Sequence, residues 1–409
     1  MSTARRINEL YQQHSRRVQA TLIRLLGDFD LAEEATQEAF TAALNQWPEQ
    51  GIPENPSAWL ITAGHRRGID HIRRRQTARH NLSRLAEDEP VTYGPETDRI
   101  DDDLLRLIFT CCHPGLAIEA QLALTLREVC GLTTEQVASA LLQKPATTAQ
   151  RIVRAKRKIR EANIPYEVPE RRELPERLQS VLKVIYLIFN EGYSSSTGDT
   201  IVNVSLASEA IRLASLLAEL LPEGEVFGLL ALMLLHDSRR NARQDANGDL
   251  ITLEEQNRNL WDREQIRSGL ASLTRALQLT PTAPYTLQAS IAAAHAQASG
   301  TDDTDWARIA RLYEVLYREV PSPVIALNRA VAVAMRDTPE EGLKLIDQLA
   351  SHKAIQNYYL FHAARADLYR RSGDLSSART AYQRALALTQ QGPEQRFLNQ
   401  RLAQLESAG

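Results

Sequence analysis

The stretch Thr133-Thr134-Glu135-Gln136-Val137-Ala138-Ser139-Ala140-Leu141-Leu142-Gln143-Lys144-Pro145-Ala146-Thr147-Thr148-Ala149-Gln150-Arg151-Ile152-Val153-Arg154-Ala155-Lys156 carries one helix-start signal twice. Thr133 is followed three residues later by Gln136, and Thr147 by Gln150, the spacing of a capping box in which side chains and backbone exchange hydrogen bonds across a first turn. The first start predicts a short helix through Leu142, and Gln143-Lys144-Pro145-Ala146 is a turn, because proline does not continue a preceding helix. The second start opens a helix whose exposed residues are expected to run Gln150, Arg151, Arg154, Lys156, Arg157, Lys158, Arg160. Upstream, Ala120 to Cys130 reads as a further helix closed by Gly131. Together these read as a helix-turn-helix, whose second helix can enter a major groove by its N-terminal residues while the cations that follow meet phosphates. A charged surface helix after an ordinary helical hairpin is the plainer reading of the same residues.

Outward from this stretch nearly all periodicity is helical. Leu178, Leu182, Ile185 and Phe189 form one helical stripe, and strand-like alternation is almost absent, so the fold class is all-α. Breaks rich in Pro, Gly or polar turn formers fall at Trp47-Pro48 through Asn55-Pro56, Asp88 through Pro95, Ile164-Pro165 through Pro175, Ser194 through Asp199, Asn247-Gly248 and Pro281 through Pro284. Asn55 as N-cap and Pro56 at the first position open a helix that runs to Arg75 and beyond. Near the C-terminus, Ala366, Gly373-Asp374, Ala378, Tyr382 and Ala385 follow the small, turn and aromatic order of the 34-residue tetratricopeptide pattern. A shift of about 36 residues brings Ala330, Gly342 and Ile346 onto Ala366, Ala378 and Tyr382, and another helix pair starts at Pro284, which predicts roughly three stacked hairpins. The boundaries expected are a bundle over 1–80, an acidic linker over 81–104, the helix-turn-helix over 105–165, a helical extension over 166–283 and repeats over 284–409.

With 409 residues the chain exceeds one ordinary core, and about two to four packed units are expected. Hydrophobic residues at 43% and charged residues at 24% are globular values. The most apolar run, Val226 to Leu235, is far short of the roughly 18 to 20 residues that span a bilayer, and Met1-Ser2-Thr3-Ala4-Arg5-Arg6 leads into no apolar signal core. An odd set of cysteines (Cys111, Cys112, Cys130) fits reduced thiols better than a disulfide scaffold. A cytoplasmic protein without membrane contact is expected. The net charge of -3 argues against binding nucleic acid by bulk charge, but charge is segregated. Gly64 to Arg84 holds seven arginines against Asp70 alone, and Lys144 to Arg160 seven basic residues and no acid. Between them Glu87 to Asp103 carries eight acids against Arg99, while Leu25 to Ala63 holds seven acids and no lysine or arginine. Two basic blocks flanking an acidic segment read as paired nucleic-acid contacts.

The order of parts resembles a known family. Leu25-Leu26-Gly27-Asp28-Phe29-Asp30-Leu31-Ala32-Glu33-Glu34-Ala35-Thr36-Gln37-Glu38-Ala39-Phe40, then Ala58-Trp59-Leu60 and Ile69-Asp70-His71-Ile72-Arg73-Arg74, resemble conserved region two of extracytoplasmic-function sigma factors of the sigma-70 family. Leu124-Thr125-Leu126-Arg127 through Arg154-Ala155-Lys156 resembles their region four. Phe189-Asn190-Glu191-Gly192-Tyr193-Ser194, Leu234-Leu235-His236-Asp237-Ser238-Arg239-Arg240, Thr304-Asp305-Trp306 and Pro321 through Ala330 are similar to the subgroup with a long tetratricopeptide-type extension. The resemblance implies that Asp30, Glu34, Gln37 and Glu38 dock on the clamp helices of the largest subunit of RNA polymerase core, with a further contact at the flap. It implies that His65, Arg66, Arg67, Asp70, Arg73 and Arg74 meet the opened promoter -10 element, and that Thr147, Ala149, Gln150, Arg151, Arg154 and Arg157 meet the -35 element. The acidic linker would lie near the path of nascent RNA. Many members place Arg-Asn where this chain has His65-Arg66, and Lys, Ser and Arg where it has Ala149, Gln150 and Arg151, so neither promoter sequence carries over.

Other constellations are discounted. Adjacent helical residues point roughly 100 degrees apart, so Cys111-Cys112-His113 lacks metal-ligand spacing. Asp245-Ala246-Asn247-Gly248-Asp249 imitates a calcium loop but has Leu250 where glycine is needed and Gln256 where a bidentate glutamate is needed. No cofactor, metal or catalytic residue is expected. In the extension, Glu191 and the cluster Asp237, Arg239, Arg240 and Arg243 are assigned to regulation through a protein or ligand partner. The competing reading is that these arginines cap a helix and pair with local acids. The function expected is a sigma factor regulated by its extension. Its rival is a helix-turn-helix regulator of duplex operators with a repeat sensor, and a third reading places an enzyme in the C-terminal half.

Overall fold

The computed structural model describes residues 3–79, 97–141, 143–193, 204–245, 247–389 and 392–407. Among them the regular structure is helical apart from one antiparallel bridge, Gln244 to Leu250. The chain divides into two compact units, Met1–Val184 and Ile185–Gly409.

The first unit begins with a three-helix bundle, α1 (Thr3–Leu26), α2 (Phe29–Gln50) and α3 (Pro56–Arg79). Gly27, with φ of 68°, ends α1, and the Asp28 carboxylate caps α2 by accepting from the Asp30 and Leu31 amides, both at 2.9 Å. The break expected at Trp47-Pro48 comes later, because Pro48 sits in the last turn of α2 and the chain leaves the helix only at Gly51. The Trp47 side chain is buried there, and its carbonyl accepts from the Gly51 amide at 3.0 Å. Asn55 caps α3 as expected, its side-chain Oδ1 accepting from the Ala58 amide at 3.1 Å. The helices approach closely at Gly64, where a Cβ would fall 2.7 Å from Leu22 Cδ1 and 3.2 Å from the Ala35 carbonyl oxygen.

Helix α4 (Thr97–Cys111) takes in the end of the stretch expected to be a linker. Its Asp103 is buried and pairs with Arg24 at 2.6 Å and Arg106 at 2.7 Å, so this acid is part of the core rather than of a solvated tether. Residues 81–96 of that linker lie outside the described residues.

The helix expected over Ala120 to Cys130 starts earlier, as α5 (Ile118–Leu124), and then widens into a π-helical turn over Thr125–Val129, in which the Cys130 amide reaches the Thr125 carbonyl at 3.0 Å. Gly131, with φ of 82°, closes it. Thr133 and Gln136 form the expected capping box on α6 (Thr134–Ala140). The second box does not form. Helix α7 (Pro145–Glu161) begins at Pro145 with Lys144 as an extended cap, because a ring-locked φ starts a helix two residues ahead of Thr147.

The unit boundary falls within α8 (Leu174–Tyr193), whose predicted stripe of Leu178, Leu182, Ile185 and Phe189 is buried. In the second unit α9 (Val204–Leu220) precedes α10 (Gly224–Asp237) and α11 (Arg263–Leu279), which pack together. Three hairpins follow where the repeat pattern predicts them: α12 (Pro284–Gln297) with α13 (Trp306–Glu319), α14 (Pro323–Arg336) with α15 (Pro339–Leu349), and, after the single turn α16 (Lys353–Gln356), α17 (Tyr359–Arg371) with α18 (Leu375–Leu388). Helix α19 (Gly392–Ser407) ends the array. Ala330 and Ile346 in one hairpin and Ala366, Ala378, Tyr382 and Ala385 in the next are buried. At Gly342 a Cβ would fall 2.4 Å from Ala334 Cβ, so the small residue is what lets α15 nest on α14.

The connection between α10 and α11 does not stay with its own helices. Its Asn-Gly turn closes at Gly248, with φ of 79°, and the segment that follows is held by arginines more than a hundred residues away. Asp249 pairs with Arg396, Glu254 with Arg371 at 2.6 Å and Glu255 with Arg401 at 2.7 Å.

Candidate nucleic-acid interface

The bundle exposes two side-by-side surfaces of opposite charge. On α2, residues 30, 34, 37, 38 and 41 share one face by helical spacing, with Asp30, Glu34 and Gln37 exposed and Glu38 half-buried. On α3, Arg66, Arg67, Asp70, Arg73 and Arg74 are exposed, while Gly64 and Gly68 face the bundle. His65 is half-buried, and burial lowers its pKa, which keeps the imidazole neutral. Trp59 lies half-buried with its ring edge-on to Trp47 at 5.2 Å, as a packed residue would.

The two surfaces meet at His71, whose Nε2 is 3.0 Å from Glu38 and whose Nδ1 is 3.9 Å from Glu34. These three side chains offer ligand atoms within 4.8 Å of one another. The guanidinium of Arg67, 4.0 Å from Glu38, supplies a cation to the same cluster, so an ion-pair knot accounts for the geometry without a metal.

The outer face of α7 is the second basic surface. Thr148, Ile152, Ala155, Lys156 and Ile159 are buried, and Gln150, Val153, Arg154 and Arg157 point away from them. Thr147 is exposed and Ala149 half-buried. Arg151 turns back and donates to the Gln143 side chain, so it leaves the outward row. Arg157 stays exposed with a loose contact to Glu161 at 3.5 Å.

Lys156 departs from its expected place on the exposed face. Its ammonium lies 3.0 Å from Glu128 and 2.8 Å from Asp30, tying α7 to the π-helical turn and to the start of α2. Glu128 is itself buried and accepts from the Gln19 amide at 3.0 Å. Burial alone would depress the Lys156 pKa, but the charges of Glu128 and Asp30 outweigh it and hold the value above that of an ordinary lysine. On the same turn Arg127 pairs with Glu33, and Arg16 donates to the Gly131 carbonyl at 3.2 Å. Adjacent helical residues point roughly 100 degrees apart, so Arg127 and Glu128 serve different partners. Asp30, expected on an open docking face, is therefore shared with the helix-turn-helix.

In the second unit Asp237 is buried and accepts from Arg240 and from Gln265, the latter at 2.7 Å. Arg243 is buried, donates to the Tyr193 carbonyl and lies 3.7 Å from the centre of the Tyr193 ring, with Arg239 at 5.7 Å from the same ring. Glu191 is half-buried on the last turn of α8. Ser194 to Asp199, read from the sequence as a break, lie outside the described residues. Arg240 thus pairs with an acid of its own helix end, whereas Arg239 and Arg243 turn to Tyr193 on α8. Burial, then Arg239, Arg243 and His295, pushes His236 down to about 3, and burial with Arg239 and Arg258 pushes His295 down to about 4.

Sequence reasoning overlooked two residues. Val153 is 64% exposed, although its off-stripe position is legible from the burial period of Ile152, Ala155 and Ile159. Glu128 carried no local signal, since its role depends on distant partners.

Residues 10–78 match the Sigma-70 region 2 family, residues 106–159 the Sigma-70, region 4 family, and residues 177–277 a family of unknown function, DUF6596. The chain is 44% identical to the uncharacterized protein R00370 of Rhizobium meliloti strain 1021, over 94% of this chain and 92% of that protein. It is 31% identical to the ECF RNA polymerase sigma factor SigK of Mycolicibacterium vanbaalenii, over 36% of this chain and 78% of that one. To the probable ECF RNA polymerase sigma factor SigI of Mycobacterium tuberculosis it is 28% identical, over 44% of this chain and 60% of that protein's length. Among solved structures, yeast Tom70 covers 95% of this chain at 13% identity with a TM-score of 0.37.

Proposed function

Because the chain belongs to the ECF RNA polymerase sigma factors of the sigma-70 family, we propose that α2 docks it on polymerase core while α3 and α7 read two separate promoter elements. Such a protein is an initiation factor: it supplies recognition, and the polymerase supplies the chemistry. The observation that carries the assignment is the pair of adjoining faces on the bundle, carboxylates on α2 and arginines on α3, with a second basic face on α7. A regulator of duplex operators has use for the α7 face alone. Glu34, Gln37 and Glu38, with Asp30 at the edge, meet the clamp helices of the largest subunit. Arg66, Arg67, Asp70, Arg73 and Arg74, with His65 behind them, meet the opened -10 element. Gln150, Arg154 and Arg157, with Thr147 and Ala149 at the start of the helix, meet the -35 duplex, and Arg151 supports the turn.

Replacing Glu34 and Glu38 by Lys tests the docking role. Capture by core polymerase should fall by about tenfold or more while helical circular dichroism is kept. Unchanged core affinity in the folded double variant would remove the docking assignment. The second unit, in this reading, regulates initiation through contacts around Asp237 and Arg240. Transcription from one promoter by holoenzyme carrying Arg240→Ala should differ from wild type, and an identical rate and response would remove Asp237 and Arg240 from that role; truncation after Glu170 tests the extension as a whole, and an unchanged rate and response there would make it a passive appendage.

A further inference from the structure

The outer face of α7 contains a side chain that neither packing nor charge explains. Counted at 100 degrees per residue, the buried stripe of Thr148, Ile152, Ala155, Lys156 and Ile159 leaves Ala146, Gln150, Val153, Arg154 and Arg157 on the opposite side, with Gln150 at its middle. Val153, at 64% exposure, is the most open of the exposed large apolar side chains among the described residues and the one aliphatic larger than alanine on the outside of this helix. A β-branched residue is a poorer helix former than lysine, arginine or glutamine. In water it gains nothing there.

From these positions we infer that Gln150 and Val153 read two successive A·T base pairs of the duplex element, Val153 by packing its methyls on a thymine C5-methyl. The inference rests on the promoter-reading role proposed for α7 and extends it to base identity. Glutamine presents one acceptor and two donors, which match the N6 and N7 edge of adenine, and an apolar side chain in the major groove finds its match in the thymine methyl. The helix rises about 1.5 Å per residue, which sets Val153 about 4.5 Å along the axis from Gln150, close to the roughly 3.4 Å step between base pairs. Arg154 and Arg157 are exposed on the same face toward the C-terminal end of the pair, where phosphate contacts would fix the helix on the duplex. The stiff χ1 of valine holds its methyls in place, so the contact orders little upon binding.

Holoenzyme assembled from core polymerase and the full chain would be used to select duplexes from a randomised library. Each thymine of the selected upstream element would then be replaced by deoxyuracil, which lacks only the C5-methyl, and affinity measured by fluorescence anisotropy. One thymine, adjacent to the pair whose preference Gln150→Ala relaxes, should lose about fourfold in affinity on losing its methyl, the effect of one buried methyl group. Val153→Ala should bind the thymine duplex about as weakly as wild type binds the uracil duplex, and should not distinguish the two. Equal thymine-to-uracil effects in wild type and Val153→Ala, or no thymine next to the Gln150-specified pair, would overturn the inference while leaving the promoter role intact. Failure of the wild-type holoenzyme to select any sequence would instead remove the role of α7, and the inference with it.

Discussion

Replacing Lys156 by Met isolates the contact that fastens the helix-turn-helix to the bundle. The ammonium is 3.0 Å from Glu128 and 2.8 Å from Asp30, and the side chains of Lys156, Glu128 and Asp30 are 7%, 1% and 71% exposed. The two halves of this bridge are therefore unequal. The open Asp30 contact is worth about 0–1 kcal/mol, whereas removing one partner of a buried pair strands a charge and costs about 3–5 kcal/mol. Methionine keeps most of the apolar stem, and Gln19 still donates to Glu128. The loss should thus be near the lower bound, about 3 kcal/mol, and adding Glu128→Gln should restore most of it by removing the stranded charge while keeping a partner for Gln19. Hydrogen exchange of α7 and π-turn amides, read by mass spectrometry across a urea series, measures this locally. The pH dependence has a definite sign. The folded pKa of Lys156 lies above its ordinary 10.5, so the contribution is complete below about pH 10.5 and disappears as pH rises through the folded value. A loss under about 1 kcal/mol for Lys156→Met, unchanged by Glu128→Gln, would refute the view that Glu128 depends on the ammonium.

In the second unit His236 and His295, held down to about 3 and about 4, bind protons later in the folded state than in the unfolded chain. Stability should fall as pH drops from about 6.5 toward 4, by at most about 1.4 kcal/mol per pH unit for each group, and an acid limb unchanged in His236→Gln with His295→Gln would contradict this. Neutralising the strap by Asp249→Asn, Glu254→Gln and Glu255→Gln removes three exposed pairs worth about 0–1 kcal/mol each. Amides of 247–256 should then exchange faster while those of α14 and α15 do not, high salt should produce the same effect in wild type, and unchanged exchange in the strap would show that its ion pairs do not hold it.

Local signals were legible and distant ones were not. The Thr133 and Gln136 box forms as its spacing predicts, since every partner lies within one turn. The same spacing at Thr147 and Gln150 fails because Pro145, two residues earlier, already has the backbone angle a helix needs. The repeat hairpins were readable from Ala330, Gly342, Ala366, Ala378 and Tyr382, where small and large residues must alternate for helices to nest. The burial of Lys156 was not readable, because the residue sits at the edge of the apolar stripe and the choice between water and core was made by tertiary partners, buried Glu128 first and Asp30, 126 positions away, second. Among the candidate site residues, the helical faces of α2 and α3 followed from periodicity, whereas the withdrawal of Arg151 and the sharing of Asp30 depended on tertiary neighbours.

The strap between α10 and α11 bears on how such a chain is made and how it changes. In an open repeat array each hairpin touches only its neighbours, so a unit can be duplicated or lost with little effect further along. Here Asp249, Glu254 and Glu255 are matched to Arg396, Arg371 and Arg401, and the intervening hairpins act as a spacer of set length. Inserting one more hairpin would shift those arginines by about one interhelical distance, roughly 8–10 Å, and part all three pairs at once. Repeat number is thereby under constraint as a whole rather than unit by unit. The same loop also completes late during synthesis: Glu254 can meet Arg371 first, and the strap is fully paired only after residue 401 has been made.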